Sequence, residues 1–184
     1  RQRQMCIRDR GQLAILRPLL LLLDYKDILR LNTLVQLFLM LWIAHLLSCH
    51  SLTHLLFPLA LMFCSLTPIA TGICLQYTPC FLIMAIGCVV LLRHTNIINK
   101  FNWLFFLSLG MATSYFDFLT YPLVTLGIPL ILYLQLETSS PSQRFFQITT
   151  CSLSWGIGYI GFWAEKWLLG SVILQEILFS EAYN

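Results

Sequence analysis

Charged side chains are scarce in this sequence of 184 residues: 10% are Asp, Glu, Lys or Arg, whereas 58% are hydrophobic. Soluble domains carry about 25% charged residues, because their surfaces must face water. None of the 62 residues between Arg30 and Arg93 is charged. One bilayer crossing needs roughly 20 apolar residues, so this interval has room for about three crossings. The composition excludes an ordinary water-soluble domain and predicts a protein embedded in the lipid bilayer.

The sequence also lacks the compact signatures of catalysis, such as a phosphate loop, a dinucleotide fingerprint, a nucleophile elbow or a zincin helix. Its cysteines lie singly in apolar stretches, which is typical of small buried hydrophobic residues and not of a disulfide framework. His45, Cys49, His50 and His54 are close in sequence, but their spacing matches no familiar zinc site. We therefore predict no cofactor from the residues, and a divalent metal stays open.

Residues 1–10, RQRQMCIRDR, differ from the rest of the chain in composition. Their codons, beginning ATG TGT ATA AGA GAC AG at Met5, resemble a sequencing adapter, so we exclude this segment as an artefact and expect the natural sequence to begin near Gly11. The alternative is a natural basic arm. Without its four arginines and one aspartate, Lys+Arg falls from 11 to 7 and Asp+Glu from 8 to 7. The net charge becomes zero, so the charge balance gives no support for a nucleic-acid partner.

Apolar segments separated by short polar connections predict an all-α polytopic bundle of about six membrane-spanning helices, in one transmembrane domain over residues 11–184. The predicted spans are residues 33–49, 55–75, 78–92, 101–116, 118–136 and 145–162. Asp24 is expected to cap a helix that starts at Tyr25, and Pro68 to kink the second span. Gly156, Gly158 and Gly161 suit close helix contact in lipid.

Alternating hairpins sort the polar segments onto two membrane faces. Side one holds residues 11–30, 75–79, 114–118 and 161–167, and side two holds residues 49–54, 93–100 and 137–144. Side one has four Lys and Arg residues and side two has three, so the positive-inside rule does not orient the chain. Because side one concentrates Trp, Tyr and paired charges, we expect it to face outward.

Asp117, within SYFDFLTYP, is the strongest catalytic candidate because apolar spans flank it on both sides. An ionised carboxylate is costly in hydrocarbon, so it must face a cavity, a partner or the interface. We predict that Asp117 acts as a general base or metal ligand at the membrane surface. The alternative is a helix-capping residue in a tight turn. The aromatic residues around it, including Tyr115, favour a functional site.

Two further clusters on side one are predicted to bind substrate. Asp27 and Arg30, with Asp24 nearby, are one helical turn apart and can form an ion pair, and the arginine fork matches a phosphate group. The alternative for this cluster is a set of solvated charges at the headgroup level. The complete predicted substrate-binding set is Asp24, Asp27, Arg30, Tyr115, Trp163, Glu165 and Lys166.

The second of these clusters is an aromatic stripe within WGIGYIGFWAEKW. Trp155, Tyr159, Trp163 and Trp167 are spaced by four residues and therefore share one helical face. An ordinary aromatic belt at the membrane interface explains this spacing. The sharper hypothesis is a stacking platform for a sugar ring, with Glu165 and Lys166 beside it.

The blocks ILRPLLLLLDYKDILRLN, SYFDFLTYPLVTLGIPLILYL and SWGIGYIGFWAEKWLL resemble segments of uncharacterised bacterial multi-pass proteins, which in turn are similar to C-type glycosyltransferases. That resemblance implies an inner-membrane protein that transfers sugars from polyprenyl-phosphate donors in envelope polysaccharide assembly. It leaves the catalytic residue unassigned, because the family's usual acidic residue lies in a first loop absent from this sequence. The alternatives are a transporter or flippase, and a non-catalytic membrane assembly subunit.

Overall fold

The computed structural model describes residues 23–65, 78–116, 121–137 and 140–174, together with positions 18 and 21. The regular structure of these residues is entirely helical, as predicted. The helices are α1 (Tyr25–Cys49), α2 (Leu56–Ser65), α3 (Thr78–Arg93), α4 (Thr95–Lys100), α5 (Asn102–Phe116), α6 (Pro122–Leu136) and α7 (Pro141–Leu174), with a 3₁₀ turn at Thr53–Leu55. Residues 1–10, Pro68 and Asp117, which carried sequence-based predictions, lie outside the described residues.

Helix α1 begins where the sequence predicts. Asp24 occupies its N-cap position, but its side chain makes no capping hydrogen bond. Asp27 lies in the first turn, where a negative charge interacts favourably with the helix dipole. The carboxylates therefore act on this helix start through charge.

Among the described helices, α1 alone is long and apolar enough to cross a membrane, with 25 residues and a mean hydropathy of 1.6. Helices α3 and α6 are apolar but contain 16 and 15 residues. The predicted spans coincide with helices, but most of these helices are shorter than a full crossing. The second predicted span continues beyond α2 into residues 66–77, which lie outside the described part of the chain.

Helix α3 lies at the centre of the bundle and is buried on most of its circumference, including Cys80, Met84 and Leu91. Helices α1, α5 and α6 pack against it, whereas α7 packs mainly on α5. Such all-round burial requires an apolar sequence without a polar face. This explains why no helical periodicity distinguishes α3 from its neighbours in the sequence.

Interhelical hydrogen bonds define the two ends of the bundle. Asn32 donates to Thr78 near the starts of α1 and α3, and His50 contacts the Leu92 carbonyl near their ends, so these helices are parallel. Helix α5 returns towards the start of α3. We call end one the region with the starts of α1, α3 and α6, the end of α5 and residues 162–166 of α7. End two lies opposite, so the described helix ends are sorted as the predicted hairpins require.

Helices α5 and α7 cross at two glycines. A Cβ added at Gly110 would lie 2.1 Å from the Trp155 carbonyl oxygen, and one at Gly158 would lie 2.3 Å from the Leu107 carbonyl oxygen. The predicted close contact is confirmed for Gly158, whereas nothing would meet a Cβ at Gly156 or Gly161 within 4 Å.

The surface of the bundle is apolar and part of its interior is polar. Leu34, Phe38 and Leu41 form an outward stripe on α1, with exposed fractions of 63%, 62% and 70%. Leu153 and Ile157 belong to a similar stripe on α7. The buried polar residues, by contrast, are Asn32, Gln36, Thr78, Thr113, Ser114 and Thr125. Most buried residues are nevertheless hydrophobic, so the exposed apolar stripes are the feature that soluble monomers rarely carry.

Candidate functional site at end one

Lys166 joins helix α7 to the C-terminus of α5. Its ammonium group donates hydrogen bonds to the carbonyl oxygens of Ser114, at 2.5 Å, and Tyr115, at 3.0 Å. The last carbonyls of a helix have no partner within the helix, and a cation there interacts favourably with the helix dipole. Lys166 therefore both satisfies these carbonyls and fixes the end of α5 against α7.

Aromatic rings surround this lysine. Its Nζ atom lies 5.4 Å from the centroid of the Tyr115 ring and 6.0 Å from that of Phe162. The Tyr115 ring also contacts Phe162 and Phe116 edge-to-face, at centroid distances of 5.7 Å and 4.7 Å. A cation over aromatic faces gains about 0.5–1 kcal/mol at exposed sites. The structure thus brings together two of the residues predicted from the sequence, Tyr115 and Lys166.

Lys166, a member of the predicted substrate-binding set, uses part of its hydrogen-bonding capacity within the bundle. An ammonium group has three donors, and two of them point at backbone carbonyls. Lys166 thereby holds the last described residues of α5 against α7, and Asp117 follows Tyr115 by two residues in the sequence.

Trp163 and Glu165 flank Lys166 on α7, and both are exposed. The first half of the predicted aromatic stripe, Trp155 and Tyr159, does not form a surface platform. Trp155 is 8% exposed and stacks on Tyr159 at a centroid distance of 5.2 Å and an interplanar angle of 15°. The stripe is therefore divided: its first half packs in the core, and Trp163 remains at the surface to meet a ligand or the membrane interface.

The charged cluster of α1 lies at the same end but on another helix. Arg30 contacts Asp27 at 3.3 Å, with side chains 78% and 50% exposed, and Asp24 is also exposed. An exposed pair of this kind stabilises a protein by about 0–1 kcal/mol. Since α1 packs on α3 and α7 packs on α5, the structure does not gather these charges with Lys166 in one cluster.

Two buried polar networks escaped the sequence analysis. Thr113 and Thr125 share a hydrogen bond of 2.8 Å, and the Trp155 indole donates to Thr125 at 3.3 Å, so the network joins α5, α6 and α7. In the second network, Gln36 donates to Asn32, which donates to Thr78. Asn32 and Gln36 are four residues apart, and this spacing could have indicated that both amides lie on one face of the helix.

The histidine and cysteine group at end two shows no metal geometry. His45 Nε2 and Cys49 Sγ are 3.8 Å apart, while His50 Nε2 lies 2.8 Å from the Leu92 carbonyl oxygen. Within the described ranges, no three His, Cys, Asp or Glu residues are placed to hold a metal ion.

Comparisons with protein-family models, curated proteins and solved structures found no match to this chain. The function is therefore inferred from the arrangement of the residues.

Proposed function

We propose that this chain is a multi-pass protein of the bacterial inner membrane and that its apolar helices form a bundle solvated by lipid. The outward stripe of Leu34, Phe38 and Leu41 on α1 carries this proposal. In water, each such side chain would forgo about 1.5–3 kcal/mol of burial free energy. In lipid the same side chains are solvated, and the polar groups turn inward to find hydrogen-bond partners.

Membrane extraction tests this proposal directly. The chain expressed from Gly11 onward should stay in the membrane fraction after alkaline carbonate washing and should need detergent for extraction. Recovery in the aqueous supernatant, as a monodisperse helical protein without detergent, would refute membrane integration.

We further propose that end one is the catalytic face, where sugar is transferred from a polyprenyl-phosphate donor. Arg30 is an exposed guanidinium near the start of α1, which suits a phosphate at the headgroup level. Trp163 offers an exposed ring on α7 for a sugar. Asp117 is the proposed general base, and it follows Tyr115 by two residues in the sequence. Support comes from Arg30, Trp163 and the contact between Lys166 and Tyr115, which lie at one end of a bundle with exposed apolar stripes.

A transfer assay in membrane extracts tests the activity. Radiolabelled polyprenyl-phosphate sugar is supplied to membranes that contain the wild-type chain, Asp117→Asn or Arg30→Gln. Arg93→Gln serves as the matched control, because Arg93 is an exposed arginine at the opposite end of the bundle. We expect Asp117→Asn to abolish transfer and Arg30→Gln to raise the apparent KM, with the control unchanged. Equal transfer by all three variants would exclude these residues from a catalytic role.

The transporter alternative receives less support from the helices. Transport sites are commonly formed by discontinuous helices at the middle of the membrane. Helix α6 contains Pro129 but continues through it to Leu136. A flippase assay on the same membranes separates the two functions, because flipping moves the lipid-linked sugar across the bilayer without transferring it.

A further inference from the structure

A cleft of about 720 Å³ opens at end two, opposite the proposed catalytic face. Its walls are the start of α5, the residue after α6 and the first three turns of α7. Small-molecule sites in proteins have volumes of about 300–1,000 Å³. The cleft is therefore large enough for a ligand of one or two sugar rings.

The wall of the cleft consists mainly of hydrogen-bonding side chains. Glu137 contributes a carboxylate, Asn102 and Gln147 contribute amides, and Thr150 contributes a hydroxyl group. No lysine, arginine or histidine is among the described residues that line it. An anionic ligand would lie against the Glu137 carboxylate, and an apolar ligand would cover polar groups without offering them hydrogen-bond partners.

Several of these side chains are held in fixed orientations. Asn102 donates to the Tyr133 hydroxyl at 3.1 Å and accepts from the Trp103 amide at 2.7 Å. Gln147 donates to the Glu137 carboxylate at 2.6 Å. A site whose polar groups are already ordered loses less conformational entropy when a ligand binds.

Gln143 is fixed by the helix cap of α7. Its side-chain oxygen accepts hydrogen bonds from the Ser140 amide and from the Ser140 hydroxyl, each at 3.1 Å. Its amide nitrogen, like the hydroxyls of Ser142 and Thr150, makes no hydrogen bond to any described residue. Phe146 supplies an aromatic wall and is 71% exposed. Ordered amides, unpaired hydroxyls and one aromatic face together match the alternating hydroxyl groups and apolar C–H face of a sugar.

We propose that this cleft binds an uncharged, hydroxyl-rich ligand, either a free sugar or the sugar headgroup of a glycolipid. The site is independent of the proposed transferase activity, because it lies at the opposite end of the bundle and uses none of the same residues. Asp117→Asn should therefore leave this binding unchanged.

Binding is measured with the detergent-free protein in phosphatidylcholine nanodiscs. One arm titrates radiolabelled methyl glucoside in water, and the other incorporates monoglucosyl diacylglycerol and follows saturation transfer from protein to glucose protons. Choline serves as the cationic probe. We expect saturable binding in at least one sugar arm, and the arm that saturates at lower concentration identifies the source of the ligand.

Thr150→Val tests the assignment of the site, with Thr149→Val as its neighbour control because Thr149 is on the same helix but does not line the cleft. A lost hydrogen bond of about 0.5–1.5 kcal/mol corresponds to a roughly 2- to 10-fold rise in Kd. Ser142→Ala, at an exposed position, should weaken binding similarly without disturbing the core. No saturable sugar binding, preferential binding of choline, or equal effects of the two threonine variants would overturn the proposal.

Discussion

Replacing Gly158 by alanine tests the close crossing of α5 and α7. The added Cβ would lie 2.3 Å from the Leu107 carbonyl oxygen and 3.2 Å from the Met111 amide nitrogen. Real Cβ contacts essentially never fall under 3.0 Å, so the shorter distance is at least 0.7 Å too small. The obstructing atoms belong to the backbone of α5. Relief therefore requires the helices to move apart and cannot come from a side-chain rotation.

The cost follows from the loss of packing along the whole α5–α7 crossing. Overpacking of a well-filled interior costs about 1–3 kcal/mol. Alanine is a better helix former than glycine by about 0.8–1.0 kcal/mol in soluble hosts, which offsets part of this cost. We therefore expect Gly158→Ala to lower the free energy of unfolding by up to about 2 kcal/mol, and Gly110→Ala, facing the Trp155 carbonyl oxygen, to act similarly.

Reversible unfolding of the purified protein in mixed micelles, followed by circular dichroism, provides the measurement. Gly156→Ala and Gly161→Ala are matched controls on the same helix, since neither added Cβ would meet an atom within 4 Å. Both controls should be as stable as the wild type or slightly more stable. If Gly158→Ala and Gly156→Ala had the same free energy of unfolding, the inferred close crossing of α5 and α7 would be incorrect.

Three further substitutions probe other contacts. Thr125→Val removes the acceptor of the Trp155 indole and should lower the free energy of unfolding by about 1–3 kcal/mol in the same assay; unchanged stability would argue against the network. Lys166→Met should destabilise the protein by about 0.3–1 kcal/mol and increase proteolysis next to Tyr115, while unchanged cleavage would contradict its capping role. Leu41→Arg places a charge on the outward stripe at a cost of about 2.5–3.5 kcal/mol in hydrocarbon, so membrane insertion should fall in a glycosylation-reporter assay; normal insertion would contradict lipid exposure of Leu41.

The positions of the helices were predictable because hydrophobicity along the chain determines them. The start of α1 after Asp24 and the end of α3 near Arg93 follow from charged residues at the boundaries of apolar segments. Helix lengths were less predictable. The predicted spans were apolar stretches of the sequence, and an apolar stretch does not show at which residue a helix ends. Helices α5 and α6, with 15 residues each, are shorter than a standard crossing.

The rotation of each helix about its axis was the main property that the sequence left open. Gly156 and Gly158 are two residues apart, and only a neighbouring helix decides which of them is a contact. The same holds for Trp155 and Trp163, of which one is buried and the other exposed. Lys166 was predicted to bind a ligand because its charge was visible in the sequence, whereas the carbonyls of α5 that it satisfies were not.

In the proposed membrane setting, polar contacts at the ends of the short helices would satisfy backbone groups that lipid cannot hydrogen-bond. With a rise of 1.5 Å per residue, α5 is about 22 Å long, whereas the hydrocarbon core is about 30 Å thick. The terminal carbonyls of α5 would then lie within the hydrocarbon, where an unsatisfied backbone group costs several kcal/mol. Lys166 supplies the missing donors there, and it does so from α7, which at 34 residues is long enough to extend beyond the hydrocarbon. In that setting, Lys166 on the longer helix α7 would cap the last carbonyls of the shorter helix α5 and so stabilise its end.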